Sequence, residues 1–128
     1  MNYRQAAVWQ KAMVVAREVY RLVPLLPDEE RYGMRSQITR AGVSIAANVA
    51  EGWARETPRD KAHFFAIAQG SLAETETLLT LCEDFEWFPR EKTATLRSHL
   101  DEVSRILTTL RRQRRAAQPR GTPHSAAR

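Results

Sequence analysis

Two carboxylates, Glu51 and Glu74, have the greatest capacity for chemistry in this sequence. We assign them to the inward faces of two adjacent predicted helices, where paired carboxylates can bind a metal ion or act as general acid and base. Ferritin-like di-metal bundles need a Glu-x-x-His motif from each of two helices, and no histidine here has a glutamate three residues before it. A metal-binding or hydrolytic bundle is therefore only the alternative hypothesis. The preferred hypothesis predicts no catalytic residue, metal ligand or cofactor.

The preferred interpretation of these residues is a buried polar network that fixes helix register. Between Ala41 and Ala54 the only polar side chains are Ser44, Asn48 and Glu51, and at 100° per residue they share one narrow arc. The third predicted helix contributes Ser71 and Glu74, which lie on an otherwise apolar face. The expected members of the network are Arg40, Ser44, Asn48, Glu51, Ser71 and Glu74.

The helix that carries most of this network, within residues 37–55, lacks the charged face of an ordinary surface helix. Its other residues are mostly small and apolar, so we expect it to be enclosed on several sides, by the same chain or by another. The candidate interface residues on it are Gly42, Ala46 and Trp53.

Hydrophobic periodicity predicts four helices, over residues 7–23, 30–54, 58–85 and 90–112. Asp28 is the expected N-cap of the second helix, and Thr57 followed by Pro58 is expected to begin the third. Because the connections are short, we predict an all-α domain over residues 1–110, folded as an antiparallel up-down-up-down four-helix bundle.

The third helix is predicted to bury one face and to expose the other. The expected inward face comprises Phe64, Ile67, Ser71, Glu74, Leu78, Leu81 and Cys82, widened by Phe65, Ala68, Leu72 and Leu79. Gln69, Glu76, Thr80 and Glu83 are assigned to the outward side, and Arg97 of the fourth helix is expected to be solvated.

The net charge of +5 belongs to the end of the chain. Residues 1–110 contain fourteen Lys and Arg against fifteen Asp and Glu, whereas residues 111–128 contain six Arg and no acid. Periodicity is lost after Leu110, so we predict a disordered basic tail over residues 111–128. Its candidate nucleic-acid-binding residues are Arg111, Arg112, Arg114 and Arg115, because arginine clusters neutralise phosphate charge.

Cys82, the single cysteine, lies on an apolar helical face and is predicted to be buried and unreactive. No apolar run approaches the length of a membrane span, and the first ten residues do not form a signal peptide. We therefore expect a cytoplasmic protein without membrane contact.

Several stretches, taken in order and spacing, resemble the bacterial four-helix-bundle proteins named after the 23S rRNA intervening sequence. They are residues 8–12, 30–33, 36–41, 44–52 and 70–74, with NVAEG and GSLAE as the most specific motifs. Gln69 is a departure, since an arginine commonly precedes Gly-Ser in the family.

The resemblance implies a left-handed bundle that assembles into a homopentameric ring with a central channel. It also implies a fold similar to the accessory variability protein of diversity-generating retroelements, a pentamer that binds nucleic acid and a reverse transcriptase. We expect a non-enzymatic oligomeric scaffold. Its expected partners are its own copies and RNA or DNA, an RNA–protein complex, or another protein. An accessory partner of a reverse transcriptase is a further alternative.

Overall fold

A computed structural model of the chain describes residues 2–117, and these residues form four α-helices and no strand. The helices are α1 Ala7–Leu22, α2 Met34–Ala54, α3 Pro58–Asp84 and α4 Arg90–Ala116. Three short 3-10 turns, at Tyr3–Gln5, Val23–Leu25 and Asp28–Glu30, precede or follow α1. Each helix packs against its sequence neighbours, and α1 also packs against α4, so the four helices enclose one core.

The core is a continuous aliphatic cluster with two buried phenylalanines. Because α1 repeats its apolar residues every three or four positions, one side of the helix is buried and the other is exposed to solvent. The largest fully buried side chains are Phe65, Phe88, Ile38, Ile45, Leu79, Leu96, Leu100 and Leu107. Within the described part of the chain, none of the helices combines the length and hydrophobicity that crossing a membrane requires.

The ends of α2 and α3 follow local backbone chemistry. The prediction that Asp28 caps α2 is wrong, because Gly33 adopts a non-helical conformation and α2 begins at Met34. The Oε1 atom of Glu30 instead accepts a hydrogen bond from the Met34 amide at 3.0 Å. At α3, Thr57 caps the helix as predicted, since its Oγ1 atom accepts a hydrogen bond from the Asp60 amide at 3.1 Å.

The fourth helix is longer than predicted. It continues to Ala116, so the first basic residues after Leu110 belong to its last turns and not to a tail. Arg, Gln and Ala have high helix propensity, which allows α4 to continue where its apolar periodicity has stopped. The last part of the predicted tail, residues 118–128, lies outside the described residues.

Candidate functional site

A small polar cluster joins α2 to α3. The hydroxyl groups of Ser44 and Ser71 are 2.8 Å apart and share a hydrogen bond. The Nδ2 atom of Asn48 donates to the Ser44 hydroxyl at 3.0 Å and to the Ser44 carbonyl at 2.9 Å. These three predicted network residues therefore meet at a partly buried seam, where they satisfy one another's hydrogen-bonding groups.

The other three predicted members of the network are exposed in the chain, so the expectation of their burial was wrong. Arg40 and Glu74 line a shallow surface groove beside Ser44. Glu51 lies further along α2, and its carboxylate accepts a hydrogen bond from Arg55 at 2.9 Å. Among residues 2–117, no group of three or more His, Cys, Asp or Glu is placed to hold a metal ion.

The buried carboxylate of this fold is Glu83, near the end of α3, with a side chain only 1% exposed. Arg97 donates two hydrogen bonds to the Glu83 carboxylate, one from Nε to Oε2 at 3.1 Å and one from Nη2 to Oε1. The hydroxyl group of Thr93 also donates to Oε2. Arg90 approaches Oε1 at 3.4 Å. The hydrogen bonds from Arg97 lower the pKa of Glu83. Burial by itself raises this pKa, but the hydrogen bond from Thr93 and the positive charges of Arg97 and Arg90 lower it further, so the net shift is downward.

Glu83 was missed because the buried face of α3 is centred on one flank of the predicted inward face. The flanking residues Phe65, Ala68, Leu72 and Leu79 are buried as predicted, whereas Ile67, Glu74 and Leu81 are exposed. The buried face also includes Thr75 and Glu83, which were not assigned to it. A signal was available, since Glu83 lies four residues after Leu79 and therefore on the same side of the helix.

Cys82 is buried against this same part of the core, as predicted. Burial, assisted by the negative charges of Glu30 and Glu83, raises the pKa of its thiol to about 11. Because the thiolate is the nucleophilic form, this residue is unreactive near neutral pH.

A second polar cluster lies between α3 and α4 and holds one of the predicted nucleic-acid-binding arginines. Arg111 donates to the Oε1 atom of Gln69 at 2.7 Å. The Nε2 atom of Gln69 donates to the Thr108 hydroxyl at 2.9 Å and approaches the Ser104 carbonyl at 3.4 Å. The outward assignment of Gln69 was therefore wrong. The uncharged amide of Gln69 holds the Arg111 side chain in place and leaves its positive charge unbalanced.

Four cations lie at the start of α3 and in the last turns of α4: Lys61, Arg111, Arg112 and Arg114. Lys61 is partly buried, and its Nζ atom donates to the backbone carbonyl of Trp53 at 2.8 Å. Arg114 is also partly buried, while Arg112 is exposed. Among residues 2–117, none of Lys61, Arg111, Arg112 and Arg114 forms an ion pair with a carboxylate, unlike Lys11, Arg55, Arg90 and Arg97.

The residues predicted to form an intermolecular interface pack within the chain. Gly42 and Ala46 are buried, and a Cβ atom at Gly42 would lie 3.2 Å from Val19 of α1. Trp53 packs against the core, with its ring centroid 6.2 Å from that of Phe65. The prediction was wrong for Gly42 and Ala46, because the small residues of α2 admit α1 rather than another chain.

A different, partly apolar surface is exposed on α2 and α3. Val43 is 43% exposed, and Ile67 and Leu81 on α3 are 39% and 38% exposed. Ala47 and Ala54, on the same side of α2 as Val43, are exposed as well. We call these five residues the α2–α3 face. These residues are therefore a candidate for a contact surface on these two helices.

Four mutually packed helices around a single aliphatic core define an all-α helical-bundle protein. Residues 4–109 match the family model described as 23S rRNA-intervening sequence protein, so the chain belongs to that family, as its motifs indicated.

Among the solved structures similar to this one is a protein with a TM-score of 0.76 and 26% sequence identity, covering 82% of this chain and 98% of that chain. It is described as a protein with unknown function from the S23 ribosomal protein family, from Bacteroides thetaiotaomicron VPI-5482. No curated protein matches the chain.

Proposed function

We propose that this protein is a non-enzymatic oligomeric scaffold that binds RNA through the end of the bundle where α4 finishes. The observation that carries the proposal is the set of four described cations there that have no carboxylate partner in residues 2–117: Lys61, Arg111, Arg112 and Arg114. Phosphate groups supply the missing negative charge, and their binding releases condensed counterions.

We infer that the helices follow the antiparallel up-down-up-down order. Two contacts between α2 and α3 support it, since Gly52 lies against Phe65 whereas the earlier residue Ser44 lies against the later residue Ser71. In this order the end of α4 lies beside the start of α3, which brings Arg114 near Lys61.

We further propose that the protein assembles into the pentamer that its family resemblance implies. The α2–α3 face supports self-association, because it exposes aliphatic side chains on two adjacent helices. In a ring, five copies of the basic end would act together. Linked sites bind a long polyanion more tightly than separate ones, since later contacts are effectively intramolecular.

A metal-binding or hydrolytic function based on Glu51 and Glu74 has no observation in its favour. Both carboxylates are exposed, and Glu51 is paired with Arg55. The proposal of a reverse-transcriptase partner rests on fold analogy alone, which does not determine function.

The proposal is tested by fluorescence anisotropy with labelled structured RNA, titrated across about 50 to 200 mM salt. The proteins compared are the full chain, a truncation ending at Ala117, and a variant in which Arg111, Arg112, Arg114 and Arg115 are replaced by Gln. We expect the full chain and the truncation to bind with a steep salt slope, and the variant to lose at least about tenfold in affinity.

A matched control replaces four exposed arginines elsewhere, Arg17, Arg31, Arg35 and Arg40, by Gln, which removes the same charge. This control should bind nearly as well as the full chain. Equal losses in both quadruple variants would show that only net charge matters. No binding by the full chain would refute the RNA proposal, and tighter binding to duplex DNA would replace RNA with DNA as the partner.

A further inference from the structure

Lys61 and Arg114 are two cations on different helices, in the parts of α3 and α4 that the hydrogen bonds of Gln69 to Thr108 and Arg111 bring together. Neither of them forms an ion pair with a carboxylate among residues 2–117. Lys61 is in the first turn of α3, and Arg114 is in the last turn of α4. Both are partly buried, so bulk water screens their mutual repulsion less than it would at an open surface.

Arg114 keeps unused hydrogen-bonding capacity at this position. Its Nε atom is buried and has no acceptor in the described part of the chain. A buried donor without an acceptor is energetically costly, so the described part of the chain does not fully satisfy Arg114.

Lys61 is only partly committed to its own chain. Its hydrogen bond to the Trp53 carbonyl holds the last turn of α2, which is a structural role. An ammonium group has three donors, so donors remain for a further acceptor. Burial lowers the pKa of Lys61, and the charge of Arg114 lowers it further, as expected for a cation without a bound anion.

We propose that Lys61 and Arg114 jointly bind one phosphodiester group of RNA across the α3–α4 seam. Arg111, which Gln69 holds one turn earlier on α4, lies beside this site and is positioned to contact the next stretch of backbone. The inference deepens the proposed RNA-binding function and rests on it. It adds Lys61, outside the arginine cluster, as a phosphate-binding residue, and Gln69 as a positioning residue.

The test uses the full chain and measures affinity and salt slope with a short labelled single-stranded RNA. The variants are Lys61→Met, Arg114→Gln, the double variant and Lys61→Arg. Lys92→Met is the matched control, because Lys92 is an exposed lysine near the start of α4, away from the proposed site.

We expect Lys61→Met and Arg114→Gln each to weaken binding on the order of tenfold, which corresponds to one charge-assisted hydrogen bond. The double variant should reduce the salt slope by about 0.7, the value for one phosphate contact on a single strand, and each single variant should reduce it by part of that amount. The double variant should lose less than the product of the two effects, since both residues bind the same group. Lys61→Arg, which keeps the charge, should retain the slope, and Lys92→Met should match the full chain.

A purely structural Lys61 would give a different result. Lys61→Met would then lower the unfolding midpoint in urea but leave the salt slope unchanged, which would overturn the inference. If the quadruple arginine variant weakens binding while Lys61→Met and Arg114→Gln do not, the proposed function stands and this site does not. Absence of RNA binding by the full chain would remove both.

Discussion

At the scale of single residues, the most demanding group in this protein is Glu83. A buried charge is tolerated only when its partners replace the water that it has lost. Arg97, Thr93 and Arg90 provide that replacement, and Arg97 also donates to the Thr80 hydroxyl at 3.1 Å. One carboxylate thus joins the end of α3 to the first turns of α4.

Removing this carboxylate should destabilise the fold strongly. We expect Glu83→Ala to lower the free energy of unfolding by about 1–3 kcal/mol, because it leaves Arg97 and the Thr93 hydroxyl without their partner, although Arg97 is partly screened by solvent. Glu91→Ala, at an exposed position in the first turn of α4, should change it by less than about 0.5 kcal/mol. Urea denaturation measures both. Equal effects would show that the Glu83 cluster is energetically unimportant.

The pH dependence of stability gives a second test of Glu83. Its pKa is lowered in the folded chain, so its stabilising contribution is complete above the unfolded value of about 4.3. The contribution is lost as the pH falls through the lower, folded pKa. Glu83→Gln should therefore show a shallower loss of stability than the parent chain in urea titrations between about pH 5 and 2. Parallel curves would contradict this assignment.

At the scale of the helices, α2 and α3 pack so closely that one contact needs a glycine. A Cβ atom at Gly52 would lie 2.7 Å from Cε1 of Phe65 and 3.2 Å from the Lys61 carbonyl. Gly70, on α3, has open space where its Cβ atom would be. The same substitution should therefore have opposite effects at these two positions.

We expect Gly52→Ala to destabilise the protein by about 1–3 kcal/mol, because Phe65 is fully buried and cannot move aside easily. Gly70→Ala should stabilise it by up to about 1 kcal/mol through higher helix propensity. Thermal or urea unfolding of the two variants gives the comparison directly. Destabilisation by both would mean that the Gly70 position is covered in the assembled protein.

The third helix ends without a glycine. Glu86 has a φ of 62°, in the left-handed region, and its amide donates to the Glu83 carbonyl at 3.0 Å. The Trp87 amide donates to the Cys82 carbonyl at 2.9 Å, which completes a Schellman motif. This turn ends α3 at Asp84, one residue after Glu83, and leads to the buried Phe88 before α4 begins.

At the scale of the whole molecule, assembly should depend on the α2–α3 face. We expect Ala47→Glu to reduce the mass measured by light scattering, because a carboxylate would be placed at the centre of an apolar contact. Ala94→Glu, the same change at an exposed position of α4, should leave the mass unchanged. A monomeric parent chain, or an unchanged mass for Ala47→Glu, would contradict self-association through this face.

The sequence by itself determined the helical class, the family and most of the core, because hydrophobic periodicity and local capping act over a few residues. It also identified Ser44, Asn48 and Ser71, whose polar side chains stand out in apolar surroundings. Helical phase alone did not locate Glu74 correctly, since several apolar faces of α3 fit the same periodicity. It also did not reveal that Glu51 of α2 is exposed and paired with Arg55.

Only the tertiary structure decided which of those faces is buried, because the choice depends on how α3 packs against α2 and α4 together. The packing of α3 buries Glu83 and exposes Glu74. The packing of α2 against α1 places Gly42 next to Val19. The packing of α3 against α4 also places Lys61 near Arg114, which are far apart in sequence. Electrostatic contacts of this kind require distant segments to meet, so no local pattern could have revealed them.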